Sequence, residues 1–510
     1  MLARLIIISI CLAFSCGTAK KQPVVIPPAY FDQFRPQIHF SPAEKWMNDP
    51  NGMIFYNNTY HLFYQYYPDS TVWGPMHWAH ATSADLVYWQ DQPVALYPDS
   101  LGYIFSGSAV ADVNNTSGFG IEGKIPLVAV FTHHDPEGEK NGRNDFQYQS
   151  LAYSIDEGKT WQKYEGNPVL KNPGIKDFRD PKVSWHEESK KWIMTLATLD
   201  KITFYSSPDL KTWTKESDFG QDFGAHGGVW ECPDLFQLDY DGDKIWVLLV
   251  SINPGGPNGG SATQYFTGEF DGKSFMPFQT DTRWIDYGPD NYAGITWSNT
   301  GERKIFLGWM SNWQYAQVVP TIKWRGAATI PRDLSLEKIT YKYFLRSLPS
   351  AELNKLAEEA IVLEKIKADN FNLSNTIPNL AGPSRLDIKL NQLDDFTITL
   401  SNISNQRLII GYDKSANEYF IDRSKSGKTD FEKGFGAKLT APRISDNAHA
   451  DVTLVIDDAS VEMFADSGLS VMSSIFFPDQ KYSEISFNSP SATVIDSLQY
   501  RRLRSIYHNP

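Results

Sequence analysis

Cysteine is scarce in this chain, with only Cys11, Cys16 and Cys232 among 510 residues. Two of the three lie in an N-terminal apolar segment, so the rest of the chain cannot hold a disulfide framework. Basic residues are also few, because 47 Lys and Arg stand against 60 Asp and Glu and leave a formal net charge of −13. An acidic chain is poorly suited to a phosphate backbone, and this argues against a nucleic-acid partner.

Long apolar runs are missing as well. The N-terminal run 5–14 has ten residues, whereas a membrane-spanning helix needs about 20. Because the run follows Arg4, it is typical of a secretory signal. Ser15-Cys16-Gly17 then resembles a bacterial lipoprotein cleavage box, in which the cysteine becomes the lipidated first residue.

These features predict a signal peptide over 1–15, a lipid on Cys16 and an extended tether over 16–33. We therefore expect a protein that is secreted across the inner membrane and meets the membrane only through its lipid anchor. The residues after Cys16 lack an acidic run, which favours the periplasmic side over the cell surface. Simple cleavage without a lipid is the alternative.

Helical patterning is nearly absent, and its one clear occurrence divides the chain. Ala351–Lys365 (AELNKLAEEAIVLEK) combines good helix formers with apolar spacing near 3.6. All 15 tryptophans precede this stretch, from Trp46 to Trp324. We therefore predict a first domain over 34–345, a linker with a short helix over 346–368, and a second domain over 369–510.

The Trp-rich half repeats one unit of short strands and tight turns. Five segments, each opening at or near an acid or an amide, begin at Asp49, Gly107, Asp180, Glu231 and Asn291. A second repeat lies out of phase with the first, an Asp followed four or five residues later by an aromatic residue. It occurs at Asp85 and Trp89, Asp156 and Trp161, Asp209 and Trp213, and Asp271 and Phe275. Two phased repeats predict a five-bladed β-propeller rather than tandem β-sandwiches.

The second domain consists of short alternating segments separated by turn residues. They are LDIKL, FTITL, RLIIGY, EYFIDR, VTLVID, SVEMF and SEISF. About seven antiparallel strands of this kind predict a β-sandwich. The whole chain is therefore expected to be all-β, and the second domain is expected to be structural because it has no cluster of acids.

Three of the five repeat openings in the first domain are carboxylic acids. In a propeller the first strand of each blade lies at the ring axis, so Asp49, Asp180 and Glu231 are expected to meet there. Asp49-Pro50-Asn51-Gly52 also matches a type I turn, and Asp180-Pro181 is an ordinary turn start. Convergence of three acids within aromatic surroundings favours a catalytic pocket, because paired carboxylates are what glycoside hydrolysis uses.

Seven segments carry a family resemblance. They are WMNDPNG, FYQY, WGPMHWAH, FSGS, FRDP, WECPDLF and GWMSNWQY, and they occur in this order between Trp46 and Tyr315. Together they are similar to glycoside hydrolase family 32, the family of β-fructofuranosidases, inulinases and levanases. VTLVIDDASVEMFADSG and IFFP resemble its sandwich module. These segments are most similar to those of bacterial levanases and exo-inulinases.

The resemblance implies a retaining mechanism with Asp49 as nucleophile, Glu231 as acid/base and Asp180 as transition-state stabiliser. Glu231 is expected to stay protonated because of Trp230 and the charge of Asp49, and Arg179 to keep Asp180 ionised. The same resemblance implies a subsite for the terminal fructose. Its residues are Asn48, Gln65, Trp73, Phe105, Ser106, Arg179 and Trp313. Asp290-Asn291-Tyr292-Ala293 departs from the family pattern, which weakens Asp290 and Asn291 as contacts.

The implied activity is exo-hydrolysis of levan or inulin, and of sucrose, with release of fructose and no cofactor. A fructosyltransferase shares the same intermediate and remains an alternative, as does a non-catalytic fructan-binding lipoprotein. Linkage preference, exo against endo attack, the membrane face and the oligomeric state stay open. His77 with His80, and His133 with His134, lack a completing ligand at metal spacing, so no metal is predicted.

Overall fold

The computed structural model describes Tyr30 and residues 32–491 and 493–507. The predicted signal peptide, Cys16 and most of the predicted tether lie outside these residues. Tyr30, near the end of that tether, packs against the folded body. Its ring stacks on Tyr507 at 4.0 Å, and its hydroxyl donates a hydrogen bond to Asp91 at 3.1 Å.

The first domain consists of five sheets that follow one another along the chain and are antiparallel except for one short strand. The first sheet contains β1 (Lys45–Tyr56), β2 (Thr59–Tyr67), β3 (His77–Ser83) and β4 (Gln90–Leu96), and the second contains β5 (Tyr103–Ala111), β6 (Leu127–His134), β7 (Gln147–Ser154) and β8 (Gln162–Lys163). The third sheet contains β9 (Phe178–His186), β10 (Lys191–Thr198), β11 (Lys201–Ser207) and β12 (Thr214–Phe219). The fourth sheet contains β13 (Val229–Tyr240), β14 (Asp243–Asn253), β15 (Ala262–Phe270), β16 (Phe275–Pro277) and β17 (Arg283–Trp284).

The fifth sheet contains β18 (Tyr292–Thr296), β19 (Lys304–Trp309), β21 (Arg332–Ile339) and β22 (Lys342–Pro349). Strand β20 (Trp324–Arg325) instead pairs in parallel with β1, so a late segment joins the first sheet. Among the described residues one α-helix occurs, α1 (Pro136–Lys140), between β6 and β7.

The five sheets are arranged in a ring. Their first strands β1, β5, β9, β13 and β18 contact one another in this order, and β18 contacts β1. Each gap between neighbouring sheets is filled by its own apolar cluster, for example Trp78 and Phe131 between the first and second sheets. Phe236 and Phe306 fill the gap between the fourth and fifth. The predicted propeller is confirmed, and each of the five segments found in the sequence opens one sheet.

The second sequence repeat marks the turn before the outermost strand. Asp85, Asp156, Asp209 and Asp271 each accept hydrogen bonds from backbone N–H groups two to four residues later. An Asp side chain that closes such a turn replaces the missing sheet partners of those N–H groups. The aromatic residue that follows then lies at or next to the start of β4, β8, β12 or β16.

The second domain is the predicted β-sandwich of two six-stranded sheets. One contains β23 (Ile361–Lys367), β25 (Ser384–Leu390), β30 (Ala450–Ile456), β31 (Ser460–Ala465), β32 (Ser470–Ile475) and β34 (Val494–Arg502). The other contains β24 (Phe371–Asn372), β26 (Phe396–Ser401), β27 (Arg407–Asp413), β28 (Glu418–Lys425), β29 (Lys438–Pro442) and β33 (Glu484–Asn488). All seven segments read from the sequence form strands. Alternate residues, as in Phe396–Ser401, point into the shared core.

The predicted helical linker is wrong at both ends. Residues 346–349 belong to β22 of the propeller, and Ile361–Lys367 is β23, an edge strand that pairs with β34. Between them lies a 3₁₀ helix, Ala351–Leu356, and a second one follows at Leu373–Asn375. The helix-forming composition is overridden because Leu363 and Ile366 pack on the sandwich core and the strand gains a ladder of hydrogen bonds.

A buried polar network joins the two domains. The guanidinium of Arg332 in the propeller contacts Asp286 at 2.9 Å and also Glu462 of the sandwich, and none of the three side chains is exposed. His39 lies between Asp457 at 2.8 Å and the same Glu462 at 2.9 Å. The sandwich therefore packs on the propeller through fully desolvated charges as well as apolar surface.

Candidate active site

The three predicted carboxylic acids lie at the same structural position in three different sheets. Asp49 is on β1, Asp180 on β9 and Glu231 on β13, and in each strand the pairing register shifts at the acid. Asp49 and Asp180 have positive φ angles of 21° and 64°. Such a β-bulge re-aims a side chain out of the regular alternation. The Asp-Pro pairs that matched turns in the sequence are bulges inside strands.

All ten predicted site residues line one pocket at the propeller axis, which encloses about 860 Å³ including its open mouth. Asn48, Gln65, Ser106 and Asp180 are buried, whereas Trp73 is 37% exposed. Gln317 at the rim is also exposed. The pocket therefore has carboxyl groups at its base and a partly apolar rim.

Asp49 sits in the most desolvated part of the pocket. Ser106 Oγ donates a hydrogen bond to its Oδ2 at 3.4 Å, while its Oδ1 is buried without a hydrogen-bond partner. Burial, and then the negative charge of Glu231, raise the pKa of Asp49 to about 8. At neutral pH this carboxyl group therefore favours its protonated form.

Asp180 is held by backbone and thiol donors. Its Oδ2 accepts from the Cys232 N–H at 3.0 Å and from Cys232 Sγ at 3.5 Å. Burial raises the pKa of Asp180 to about 6, against the opposing charge of Arg179. Burial and the neighbouring carboxylates also raise the pKa of the Cys232 thiol well above its usual value. Cys232 is thus a neutral donor rather than a thiolate nucleophile.

Glu231 is the direct ion-pair partner of Arg179. Arg179 donates to Glu231 Oε1 from Nε at 3.2 Å and from Nη2 at 2.9 Å, and the Tyr292 hydroxyl donates to Oε2. Burial, and then the charge of Glu231, raise the pKa of Tyr292 well above its usual value, so the phenol keeps its proton. Arg179 also contacts Asp177 at 2.6 Å.

One electrostatic expectation is therefore wrong, and a second holds in direction, since the charge of Arg179 does lower the pKa of Asp180 against the effect of burial. Trp230 does not surround the carboxyl of Glu231, because its indole points into the core and donates to Ala225 O at 2.8 Å. Arg179 does not hydrogen-bond to Asp180 and acts on it only through space. The Trp230 error arises because adjacent residues of a strand point to opposite faces, so Trp230 and Glu231 do not share an environment.

Aromatic side chains form part of the pocket wall. Trp313 stacks on Trp46 at 5.8 Å, and Trp73 meets the edge of Phe105 at 6.1 Å. The Trp46 indole in turn donates to Asn48 Oδ1 at 2.7 Å and fixes that amide. Polar groups at the base with aromatic faces on the wall are a typical arrangement for a small polyhydroxylated ligand.

Sequence reasoning missed several residues that line the pocket or contact its carboxyl groups. Tyr292 opens the fifth inner strand and so occupies the position that the acids hold in other sheets, which was a usable signal. Asp177 lies just before β9 and contacts Arg179 at 2.6 Å. The pocket also contains His134, Glu139, Phe146, Gln147, Asn253 and Gln317.

Asp290 and Asn291 lie outside the pocket, at the domain interface. Asp290 accepts hydrogen bonds from Tyr315 at 2.6 Å and Arg423 at 2.8 Å, and Asn291 donates to Asp286 at 3.1 Å. In the described part of the chain, no group of three or more His, Cys, Asp or Glu side chains is placed to hold a metal ion. His80 instead lies against His61 and Phe63.

Comparison with known proteins gives matches over both domains. The family model "Glycosyl hydrolases family 32 N-terminal domain" matches residues 39–347, and "Glycosyl hydrolases family 32 C terminal" matches residues 352–502. A levanase of Bacillus subtilis is 45% identical over 97% of this chain and 73% of its own length. An extracellular exo-inulinase of Aspergillus niger is 40% identical over 88% of this chain and 90% of its own length.

Solved structures match over the same extent. An exo-inulinase from Aspergillus awamori superposes with a TM-score of 0.85 at 35% identity, over 94% of this chain and 99% of that one. A fructofuranosidase of Schwanniomyces occidentalis, solved with fructosylnystose, has a TM-score of 0.85 at 31% identity, over 95% and 100% of the two chains. No helix in the described ranges is long and apolar enough to cross a membrane.

Proposed function

The chain belongs to glycosyl hydrolase family 32, and from this premise we propose that it is an exo-acting β-fructosidase that releases fructose from levan, inulin and sucrose. The observation that carries the proposal is the convergence of Asp49, Asp180 and Glu231, with Arg179, in one pocket. Relatives named levanase and exo-inulinase support the substrate class.

Asp49 attacks the anomeric carbon of the terminal fructosyl unit, and Glu231 donates a proton to the departing glycosidic oxygen. A covalent fructosyl-enzyme forms, and Glu231 then removes a proton from the water that hydrolyses it. The Asp180 carboxylate binds sugar hydroxyls as positive charge develops at the anomeric carbon. The outcome is net retention at that carbon.

The working state needs one proton on the Asp49 and Glu231 pair. Arg179 contacts the Glu231 carboxyl group at 2.9 Å, whereas burial favours the protonated form of Asp49. A fructosyl unit with developing positive charge beside Asp49 favours its carboxylate form, and the proton then belongs on Glu231.

The shape of the pocket supports exo-action. Asp180 at the base is 6% exposed, whereas Trp73 at the rim is 37% exposed. A chain end can reach carboxyl groups at the base of such a pocket, but the interior of a polymer would need a cleft open at both sides. Levan should therefore give fructose as the first product, without an early ladder of oligosaccharides.

The test combines two variants with product analysis on levan, inulin and sucrose. Asp49→Ala and Glu231→Ala should each lower kcat by at least about 10³-fold while the melting transition is retained. Glu187→Ala, an exposed residue outside this pocket, is the control and should keep full activity. More than a tenth of activity in either pocket variant would refute the assignment. Products longer than the substrate at high sucrose would indicate a fructosyltransferase.

We also propose that Cys16 carries a lipid that anchors the protein on the periplasmic side of a membrane. The proposal rests on the signal-like run and Ser15-Cys16-Gly17 alone. Cys16→Ala should move the protein from the membrane to the soluble fraction. Equal membrane retention in that variant would refute the lipid, and removal of the protein by protease on intact cells would refute the periplasmic location.

A further inference from the structure

Glu139 lies at the mouth of the pocket and has no role in the chemistry described above. It is on α1, whose start is fixed because Asp135 Oδ1 accepts from the N–H groups of Glu137 at 3.1 Å and Gly138 at 3.0 Å. The Glu139 side chain lines the pocket and is 52% exposed. Its Oε2 lies 3.0 Å from His134 Nε2.

The neighbours of His134 fix its proton and orient Glu139. Gln147 Nε2 donates to His134 Nδ1 at 3.3 Å, and the Gln147 amide is itself oriented because its Oε1 accepts from the Phe178 N–H at 2.8 Å. His134 Nδ1 is therefore the acceptor, and Nε2 carries the hydrogen that is donated to Glu139. The Glu139 carboxylate is thus held at Oε2, while no residue in the described ranges hydrogen-bonds to Oε1.

These polar contacts continue from Gln147 to the acid/base, Glu231. Arg179 Nη1 donates to Gln147 Oε1 at 3.3 Å, and the same guanidinium holds Glu231. A continuous chain of polar contacts thus runs from Glu231 at the reaction centre through Arg179, Gln147 and His134 to Glu139 at the rim. The His134 ring also stacks on Phe105 at 4.3 Å with planes 8° apart, which makes the chain part of the pocket wall.

We propose that Glu139 is a specificity-determining residue that accepts a hydrogen bond from a hydroxyl of the sugar unit leaving with the glycosidic oxygen. Glu231 protonates that oxygen, so the leaving sugar lies between Glu231 and the mouth, on the side where the chain of contacts ends at Glu139. A preorganised carboxylate oxygen with no protein donor suits a sugar hydroxyl. The inference rests on the proposed function and adds to it the residue that binds the second sugar unit.

The experiment compares two substrates that differ only in the leaving group, a fructotriose and methyl β-D-fructofuranoside. Glu139→Ala should raise KM for the fructotriose about tenfold with kcat changed less than twofold, because a hydrogen bond to a charged acceptor is lost from binding. Both constants for the methyl fructoside should stay within twofold of wild type. Glu137→Ala on the same helix, outside the pocket, is the matched control and should leave both substrates unchanged.

Equal KM values for wild type and Glu139→Ala on the fructotriose would overturn the inference. So would an equal fall in kcat on both substrates, since Glu139 would then act only by holding His134 and, through it, the reaction centre. Failure of the wild-type enzyme to release fructose from either substrate would instead refute the proposed function. A thermal melt of each variant confirms that the half-exposed substitution leaves the fold intact.

Discussion

The buried guanidinium of Arg332 offers a sharp test of how the sandwich stabilises the propeller. Arg332 contacts Asp286, Glu462 and Ser473, the last at 2.6 Å between Nη2 and Oγ, and its side chain is fully buried. Replacement by Met keeps most of the volume but leaves Asp286 without its cation and Glu462 with His39 alone. Removal of one partner from a buried ion pair typically costs about 3–5 kcal/mol.

The expected shift in melting temperature follows from this free energy. At about 2.1 cal/mol/K per residue, a unit of about 480 residues has an unfolding entropy near 1 kcal/mol/K. If both domains melt together, Arg332→Met should therefore lower the melting temperature by about 3–5 °C. Differential scanning calorimetry at pH 7 measures this shift and shows whether one or two transitions occur.

Arg303 provides a matched control. It also pairs with two carboxylates, Asp333 at 2.5 Å and Glu352 at 2.6 Å, but its side chain is 37% exposed. Solvent screens such a pair, so Arg303→Met should cost at most about 1 kcal/mol, and its cost should shrink further in high salt. An Arg332→Met protein as stable as Arg303→Met would refute the claim that desolvated charges hold the two domains together.

Three pH-dependent predictions follow from other groups. The kcat/KM should fall above about pH 8, because burial and neighbouring charge raise the pKa of Asp49 to about 8 and the reacting pair then loses its one proton. Asp180→Asn removes a negative neighbour of Asp49, so the residual activity of that variant should begin to fall at a lower pH. An unchanged pH for this fall would contradict the effect of Asp180 on the pKa of Asp49. Burial alone would lower the pKa of His39, but its two carboxylate partners raise it to about 9, so its contribution to stability is full below pH 6.5 and lost as pH rises through 9. His39→Gln should therefore abolish up to about 3 kcal/mol of the stability lost between those pH values, measured as urea midpoints. Burial lowers the pKa of His61 to about 4 and that of His80 to about 3, so both favour the folded state above pH 6.5 and oppose it as pH falls towards 4. His61→Phe should flatten the acid side of the stability profile, and an unchanged acid side would show that these imidazoles are not buried and neutral.

Most of the propeller could be predicted because its sequence repeat consists of residues that each have a defined local structural role. An Asp that closes a turn, followed by the aromatic residue near the start of an outer strand, occurs in four sheets and requires no tertiary information. The openings of the inner strands were equally visible, since each combines a polar residue with a following run of apolar residues. Their bulged backbone was not visible, because Asp-Pro satisfies a turn and a bulge equally well.

The segment after the propeller shows where sequence preference fails. Ala351–Lys365 consists of good helix formers, yet Ile361–Lys367 forms a strand. Its partner strand, β34, begins more than 120 residues later, at Val494. Helix preference is worth only tenths of a kcal/mol per residue, so pairing and burial at a distant edge outweigh it. No local sequence pattern around Ile361–Lys367 indicates that β34 is its partner.

Within the site, the identity of the acids could be predicted but their electrostatic partners could not. Glu231 and Arg179 are 52 residues apart, and their ion pair depends on which face of each strand points to the axis. Trp230, the sequence neighbour of Glu231, points into the core, and Asp180, the sequence neighbour of Arg179, is hydrogen-bonded by Cys232 instead. The charge environment of each acid is therefore a property of the assembled ring.

Covalent labelling tests the central claim most directly. The Glu231→Ala variant, treated with an aryl β-fructofuranoside whose leaving group needs no proton, should form the fructosyl-enzyme and then hydrolyse it slowly for lack of a general base. Rapid acid quench, proteolysis and mass spectrometry should find one fructosyl unit on the peptide that contains Asp49, and none in the Asp49→Ala/Glu231→Ala double variant. A label on Asp180 or on any other residue, or fructoside cleavage by the double variant at the rate of Glu231→Ala, would contradict the assignment of Asp49 as the nucleophile.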